Sequence, residues 1–323
     1  MSYRFEVLDE VPMKLDKLGL VITIPSIGDD VSIPQVMEEI FGYKKCYLIF
    51  YEGVNVQALI LGSIINKKFV SHPHLSYGGV FMSHGFSLDN YNLDSTFRNV
   101  EVRSFHKISR FHKSEKLSSI LTLKASIDDQ LASFKYNVRR QIKIAKKNEL
   151  VCSKGGLTLL EDFYSVYTDN MHRLGSPPQP ISFFRGLLEF WRNEGALIFC
   201  VYKNETPVSA SFTLRNDGVL ESCWAGSLME FNKFYPTYLI YWTMIEYSVA
   251  QGLDYFSFGR SSYNSGPLRF KNHWKPDSVK IYSNYLREPG QSLKKLKFIN
   301  FVFKRTPKNL ILLFGRVFTK YIY

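Results

Sequence analysis

Two stretches about half a chain apart follow one pattern, and that repetition restricts the possible folds more than any other feature of the sequence. In the first, Cys46–Tyr51 is an apolar run, Glu52-Gly53 a turn and Val54–Ile65 a second run, which together predict a hairpin. In the second, Leu197–Tyr202, a turn at Lys203-Asn204 and Pro207–Phe212 align with Tyr47–Tyr51, the Glu52-Gly53 turn and Val56–Leu59, with one residue inserted. A duplicated α/β unit explains the echo, and so does a chance likeness of two hairpins. At 323 residues, 45% of them hydrophobic, the chain is long enough to fill two cores.

Between and beyond the hairpins, turn and cap signals mark out further elements. Residues 3–10 read as a strand, and Ser32-Ile33-Pro34 opens a helix to about Phe41, serine as cap and proline in the first turn. Ile127, Leu131, Phe134, Val138, Ile142 and Ala145 advance by fours and threes, which predicts one helix face from Ile127 onward. A helix over 161–173 ends at Gly175-Ser176-Pro177-Pro178, Ser182 caps another to about Asn193, and Pro236 opens one that Gly252 closes. Around that last helix lie a strand near Leu220–Trp224, the alternating strand Tyr255–Phe258 and a final strand near Val279–Tyr285. Gly259-Arg260-Ser261-Ser262 and Ser265-Gly266-Pro267 read as turns. Strand-helix-strand order implies a parallel pair, and such sheets bind ligands at strand C-termini, which puts Arg260, Arg269 and Lys271 near one cleft. The plainer alternative is solvated loop charges around buried aromatics.

The net charge of +12 is unevenly placed. Beyond Glu288 there is no acid, while Lys294, Lys295, Lys297, Lys304, Arg305, Lys308, Arg316 and Lys320 supply eight bases. Lys135, Arg139, Arg140, Lys143, Lys146 and Lys147 form a second group. Phosphate-bearing ligands, RNA or an anionic membrane surface are the partners to expect, with a solvated basic face as the plain alternative for the second group. In the tail, Thr306-Pro307 starts a helix whose Leu310, Leu313, Phe314, Val317, Phe318 and Tyr321 form an apolar stripe away from Lys308, Arg316 and Lys320. Such a stripe either docks on the protein or lies on a membrane. The longest apolar runs, Ala58–Leu61 and Leu310–Phe314, are far below the ~20 residues of a membrane-spanning helix. The opening MSYRFEVLDE lacks the features of an export signal, so the expected location is cytoplasmic, with any membrane association peripheral and on the inner face. Cys46, Cys152, Cys200 and Cys223 are scattered, and His72, His74 and His84 have no carboxylate or thiol to complete a set, so no metal is expected.

Phe258-Gly259-Arg260-Ser261-Ser262, then Arg269-Phe270-Lys271 and Trp274, resemble the C-terminal signature of the Fem-type acyltransferases. These are tandem GNAT proteins that include the peptidoglycan interpeptide-bridge aminoacyltransferases and relatives in exopolysaccharide gene systems. His74–Gly79, Tyr136–Lys147 and Met171–Pro177 agree in order, so the resemblance spans roughly residues 70–285. It implies an α/β fold of tandem GNAT-like modules, each a mixed twisted sheet flanked by helices. The modules would be 1–125 and 126–289, the latter carrying the transferase signature, followed by a basic amphipathic helix in 290–323. It also implies roles: Lys271 stabilising negative charge on the donor or reacting carbonyl, Phe270 shaping the pocket, Trp274 among the substrate-binding residues, and Arg260 binding phosphate or carboxylate. Arg139 or Arg140 would contact phosphate, Tyr77 with Gly78 and Gly79 would face the acceptor, and His172 and Arg173 are further site candidates. Lys275 stands where relatives usually have Gly, and Ser257 where many have Asp, so the donor and the proton acceptor stay open.

Acyl transfer to an amine needs an activated carbonyl, a neutral amine and donors for the developing oxyanion. With no Gly-x-Ser-x-Gly elbow and no Cys-His motif, direct attack without a covalent enzyme intermediate is expected. No glycine-rich pyrophosphate loop precedes a helix, which favours aminoacyl-tRNA or another activated carrier over acetyl-CoA. The expectation is therefore an N-acyl or aminoacyl transferase that uses acyl-CoA or aminoacyl-tRNA as co-substrate, with no bound cofactor. Its acceptor would be an amine on a cell-envelope glycan or peptidoglycan-type precursor, and its further partners charged tRNA and an anionic membrane surface. The competing expectation is a non-catalytic membrane- or RNA-binding assembly factor that retains the fold.

Overall fold

Both predicted hairpins form, and the strands around each pair in the same order. The computed structural model describes residues 2–11, 20, 26–191, 194–289 and 303–318. In chain order the first elements are β1 (Tyr3–Leu8), α1 (Ile33–Phe41), β2 (Lys44–Glu52), β3 (Asn55–Ile65), β4 (Lys68–Val70), β5 (Val80–Met82), β6 (Asn99–Ser104) and β7 (Phe111–Thr122). Then come α2 (Ile127–Ser133), α3 (Tyr136–Lys147), β8 (Val151–Gly155), α4 (Leu160–Leu174), α5 (Ile181–Phe190), β9 (Ala196–Lys203), β10 (Thr206–Asn216) and β11 (Val219–Ser227). The last are α6 (Pro236–Ala250), β12 (Tyr255–Ser262), α7 (Gly266–Lys271), β13 (Asp277–Tyr285) and α8 (Lys308–Phe318). Two compact units result: residues 1–118 with 260–265 and 278–290, and residues 119–259 with 266–277 and 291–323.

In the first unit the strand order is β1-β2-β3-β4-β6-β13-β7, with β5 on β3. Strands β1 to β4 pair antiparallel and β4 pairs β6 parallel. Cys46, Leu48 and Phe50 of β2 belong to one apolar cluster and Tyr47 and Ile49 to another, so both faces of the strand are covered. That is why its sequence is a continuous apolar run instead of an alternation. Helix α1 starts after Ser32 with Pro34 in its first turn and ends at Gly42, whose φ of 71° is the left-handed conformation that closes helices.

The loop from His72 to Gly79 is buried in this unit almost throughout. His72 Nε2 donates to the Gly28 carbonyl at 2.5 Å, and His74 Nε2 shares a hydrogen bond with the Tyr43 hydroxyl at 3.0 Å. Burial pulls the pKa of His72 down to about 4 and that of His74 to about 3, while it pushes Asp29 up to about 6. The histidine effect has a definite sign. Between pH 6.5 and about 4 the unfolded chain takes up protons that the two folded imidazoles refuse, so stability falls as pH falls. Asp29 works the other way: its contribution is full below 3.8 and lost as pH rises through about 6, which offsets part of the histidine loss. The urea midpoint of the first unit is therefore expected to drop from about pH 7.5 to about pH 5, and to drop further in Asp29→Asn. A midpoint that rises on acidification would contradict this assignment.

The second unit has strand order β12-β11-β10-β9-β8. β8 to β11 pair antiparallel and β11 pairs β12 parallel, the same succession as β1 to β4 and β6. Its core gathers α3, α6 and the sheet around Phe134, Trp242, Met244, Phe256, Phe258 and Trp274. The single helix expected from Ile127 is two helices. Phe134 between them is extended, with ψ 153°, and Ser133 Oγ donates back to the Gln130 carbonyl. The break sends the Phe134 ring edge-on against Trp274 and Trp242, with centroids 5.1 and 6.2 Å away. The apolar spacing survives because α2 and α3 both pack on this core.

Two other boundaries differ from the sequence reading. Helix α5 is preceded by Pro180, not capped by Ser182, because the fixed φ of Pro180 sets the chain's entry two residues earlier. Helix α8 buries Ile311, whereas Leu310, Leu313 and Phe314 of the predicted stripe are exposed. The side chains of Arg316, Val317 and Phe318, and residues 319–323 with Lys320 and Tyr321, lie outside the described residues. Among the described residues no helix is long and apolar enough to cross a membrane.

Candidate active site

The parallel pair β11/β12 holds register at Val219–Tyr255, Leu220–Phe256 and Glu221–Ser257. Beyond it Gly259 has φ 71°, and a Cβ there would sit 2.8 Å from the Ser222 carbonyl, so the bend requires glycine. Strand β12 bends at Gly259 and continues to Ser262, where the sequence had suggested a turn. Arg260 is thus inside the strand instead of after it. Gly266-Pro267, also expected as a turn, opens α7, since proline's fixed φ suits a first helical turn.

From the last turn of α7, Lys271 donates Nζ to the Gly259 carbonyl at 2.9 Å. Only 7% of Lys271 is exposed, so its ammonium is held by protein acceptors instead of bulk water. Glu221, 3% exposed, places a carboxylate oxygen 3.8 Å from where a Gly259 Cβ would stand. A buried carboxylate and a buried ammonium therefore flank the same glycine.

Lys271 also forms part of the wall of a cavity of about 580 Å³ within the second unit. α7 contributes Phe270, α6 contributes Thr237, Tyr238, Tyr241 and Met244, and α4 contributes Asn170 and Arg173. Gln141 of α3, Ser209 of β10 and Ala225–Ser227 of β11 complete much of the rest. Arg173 donates to Asn170 Oδ1 at 2.6 Å, which fixes its guanidinium on the α4 turn. Among the described residues the lining holds two cations, Arg173 and Lys271, and no carboxylate, histidine or cysteine. Such a wall suits an anionic or carbonyl-bearing group. Cys152 and Cys200, elsewhere in the unit, have thiols pushed up to about 12 by burial, which makes them poor nucleophiles at neutral pH.

Of the residues singled out in the sequence, Lys271, Phe270 and Arg173 meet at this cavity. Trp274 does not: it is fully buried in the core, beside Phe134 and Tyr238. Arg139 and Arg140 are exposed on α3, and His172 Nε2 donates to the Thr306 carbonyl at 3.0 Å. Arg260 is exposed and belongs to the first unit, where it helps burial lower the pKa of Lys116. Tyr77 is a buried residue of that unit, its hydroxyl 2.8 Å from Ser118 Oγ and its ring against Phe105. Gly78 and Gly79 do permit a close approach, but to Gly28 and to the His72 ring.

Residues 132–274 match the family model described as an acetyltransferase (GNAT) domain. This region is a GNAT domain. No curated protein matches the chain in sequence. Among solved structures, that of FemX superposes with a TM-score of 0.61 at 13% identity, covering 90% of this chain and 99% of that one. A tandem GNAT protein from the clavulanic acid biosynthesis pathway, solved without AcCoA, superposes at 0.54 with 9% identity over 90% of this chain and all of that one (100%). A conserved protein of unknown function from Bacteroides thetaiotaomicron gives 0.52 at 9% identity, covering 87% and 98%. The fold is that of the Fem-like tandem GNAT proteins, and the GNAT domain makes acyl transfer the chemistry to consider.

Several cavity residues of the GNAT domain escaped the sequence reading. Helix α6 is apolar around its whole circumference, which reads as core, yet Thr237, Tyr238, Tyr241 and Met244 share one face at helical spacing. Glu221 was legible in principle as the lone acid within the apolar run Val219–Trp224.

Proposed function

We propose that the cavity of the GNAT domain is an acyl-transfer site, and that the chain moves an acyl or aminoacyl group onto an amine of a cell-envelope glycan or polysaccharide precursor. The observation that carries this reading is Lys271, a nearly buried ammonium in the cavity wall fixed on the Gly259 carbonyl. It stabilises the oxyanion that develops when the amine adds to the donor carbonyl. Phe270 shapes the pocket around the acyl group. Arg173 supplies a second positive charge for the carrier, and Arg260 and the Arg139-Arg140 pair are assigned to phosphates.

Among the described residues the cavity wall offers no thiol or imidazole, which supports direct attack. The amine nitrogen bonds to the carbonyl carbon, the bond from acyl group to carrier oxygen or sulfur breaks, and the leaving atom takes up the proton that the amine loses. The start of α6 supports an aminoacyl-tRNA carrier over acyl-CoA. Pro236 has no N–H, and the amides of Tyr238 and Leu239 donate to the Tyr235 carbonyl, so few donors remain there for a pyrophosphate.

The test is transfer from labelled acyl-CoAs and charged tRNAs to amine-bearing envelope precursors, read by mass spectrometry, with host glycans compared with and without the protein. A transferred group that requires Lys271 supports the proposal. No transfer from any donor, together with unchanged host glycans in Lys271→Ala, rejects it and favours the non-catalytic alternative.

A further inference from the structure

Helix α8 sits on the second unit in an unusual orientation. Ile311, 1% exposed, packs inward, and Gly315 lies so close to the Pro178 carbonyl that a Cβ would collide with it. At its N-terminal end Lys308 pairs with Asp169, and the Thr306 carbonyl accepts from His172. The face turned to solvent is apolar: Leu310 is 48% and Leu313 56% exposed, with Phe314 at their side. A surface helix ordinarily shows water its polar face. Here polar contacts are used for docking, and leucines are left outside.

Charge identifies what these leucines meet. Residues 289–323 carry eight bases and no acid, and Lys304 and Arg305 are exposed just ahead of α8. A cationic segment with an outward apolar helix face matches an anionic bilayer surface, where leucines enter the acyl boundary and bases meet headgroup phosphates. RNA would reward the charges but not the leucines. We propose that α8 is an interfacial anchor that seats the second unit on a membrane rich in anionic phospholipid. The turn of α4 that holds α8 through Asp169 and His172 also supplies Asn170 and Arg173 to the cavity wall. Seating α8 therefore leaves that wall behind the docked helix, one helix diameter (~10 Å) from the membrane-facing side of α8.

Co-sedimentation of the full-length chain with vesicles tests this, using phosphatidylglycerol and phosphatidylcholine in equal parts against phosphatidylcholine alone. Partitioning onto the anionic vesicles is expected to be about tenfold or more stronger and to weaken with salt. The double variant Leu310→Glu, Leu313→Glu is expected to lower it about tenfold or more with little change in thermal midpoint, because both side chains already face water. Should that variant fail to fold, Lys304→Ala with Arg305→Ala is expected to reduce binding to anionic vesicles only. Equal binding to both vesicle types, or variants that bind like the parent, overturns the proposal. So does an outcome in which tRNA binds parent and leucine variant alike while neither vesicle binds.

Discussion

Replacing Lys271 by Ala is expected to lower kcat for acyl transfer by about 100- to 1,000-fold, the usual loss when one preorganised oxyanion donor is removed. KM should change little, because the ammonium is assigned to charge that appears only as the carbonyl is attacked. Part of any effect of Lys271→Ala could be structural, since it also strips the Gly259 carbonyl of the Nζ donor 2.9 Å away. Lys271→Met keeps the stem and its packing while deleting the charge, and is expected to fold and to be as inactive as the alanine variant. A Met variant with full kcat would remove Lys271 from the chemistry.

The second large effect concerns the backbone crossing of Gly28 and Gly78 in the first unit. Gly78 has φ 115°, and a Cβ there would overlap the Gly28 Cα and come 2.8 Å from Ser26 Oγ. At Gly28 a Cβ would overlap the Tyr77 carbonyl and the Gly78 Cα. The obstacles are mostly main chain, which cannot step aside as a side-chain tip can. Gly78→Ala is therefore expected to destabilise the protein by about 4 kcal/mol or more, and Gly28→Ala comparably. Gly85→Ala is the control. It shares a positive φ, 84°, but a Cβ there meets nothing within 4 Å, so only backbone strain of about 1 kcal/mol is expected. Equal urea midpoints for the Gly78 and Gly85 variants would show that the crossing is not a close one.

How much of this was legible depended on whether a residue's local signal agreed with its tertiary role. The hairpins β2/β3 and β9/β10 were readable because β2 and β9 are short apolar runs, β10 alternates apolar with Ser and Thr, and turn residues separate the strands. The β11/β12 pair was readable from strand-helix-strand order alone. Gly259 and Gly266-Pro267 carried breaker signals, yet the first bends a strand without ending it and the second starts α7. Phe134 continued the spacing of a helix that in fact breaks there, because only the tertiary core explains why its ring turns inward. For the site, Phe270 and Lys271 stood out by motif, whereas the α6 contribution was masked by a helix apolar on every side. Trp274 and Tyr77 entered as contacts through the family resemblance, and nothing local in a sequence tells an exposed aromatic from a buried one. In α8, Ile311 and Gly315 face the second unit, and the larger stripe gave no hint of it.

Photolabelling tests most directly whether acyl transfer belongs to the cavity of the second unit. A diazirine placed on the acyl group of a charged tRNA, and in a parallel arm on an acyl-CoA, can be activated in the complex and the label mapped by peptide mass spectrometry. The label from the productive donor is expected on α6 between Thr237 and Met244 and on α7 at Phe270, and an unlabelled donor should compete it away. Competable label confined to the first unit, with none on α6 or α7, would contradict the account.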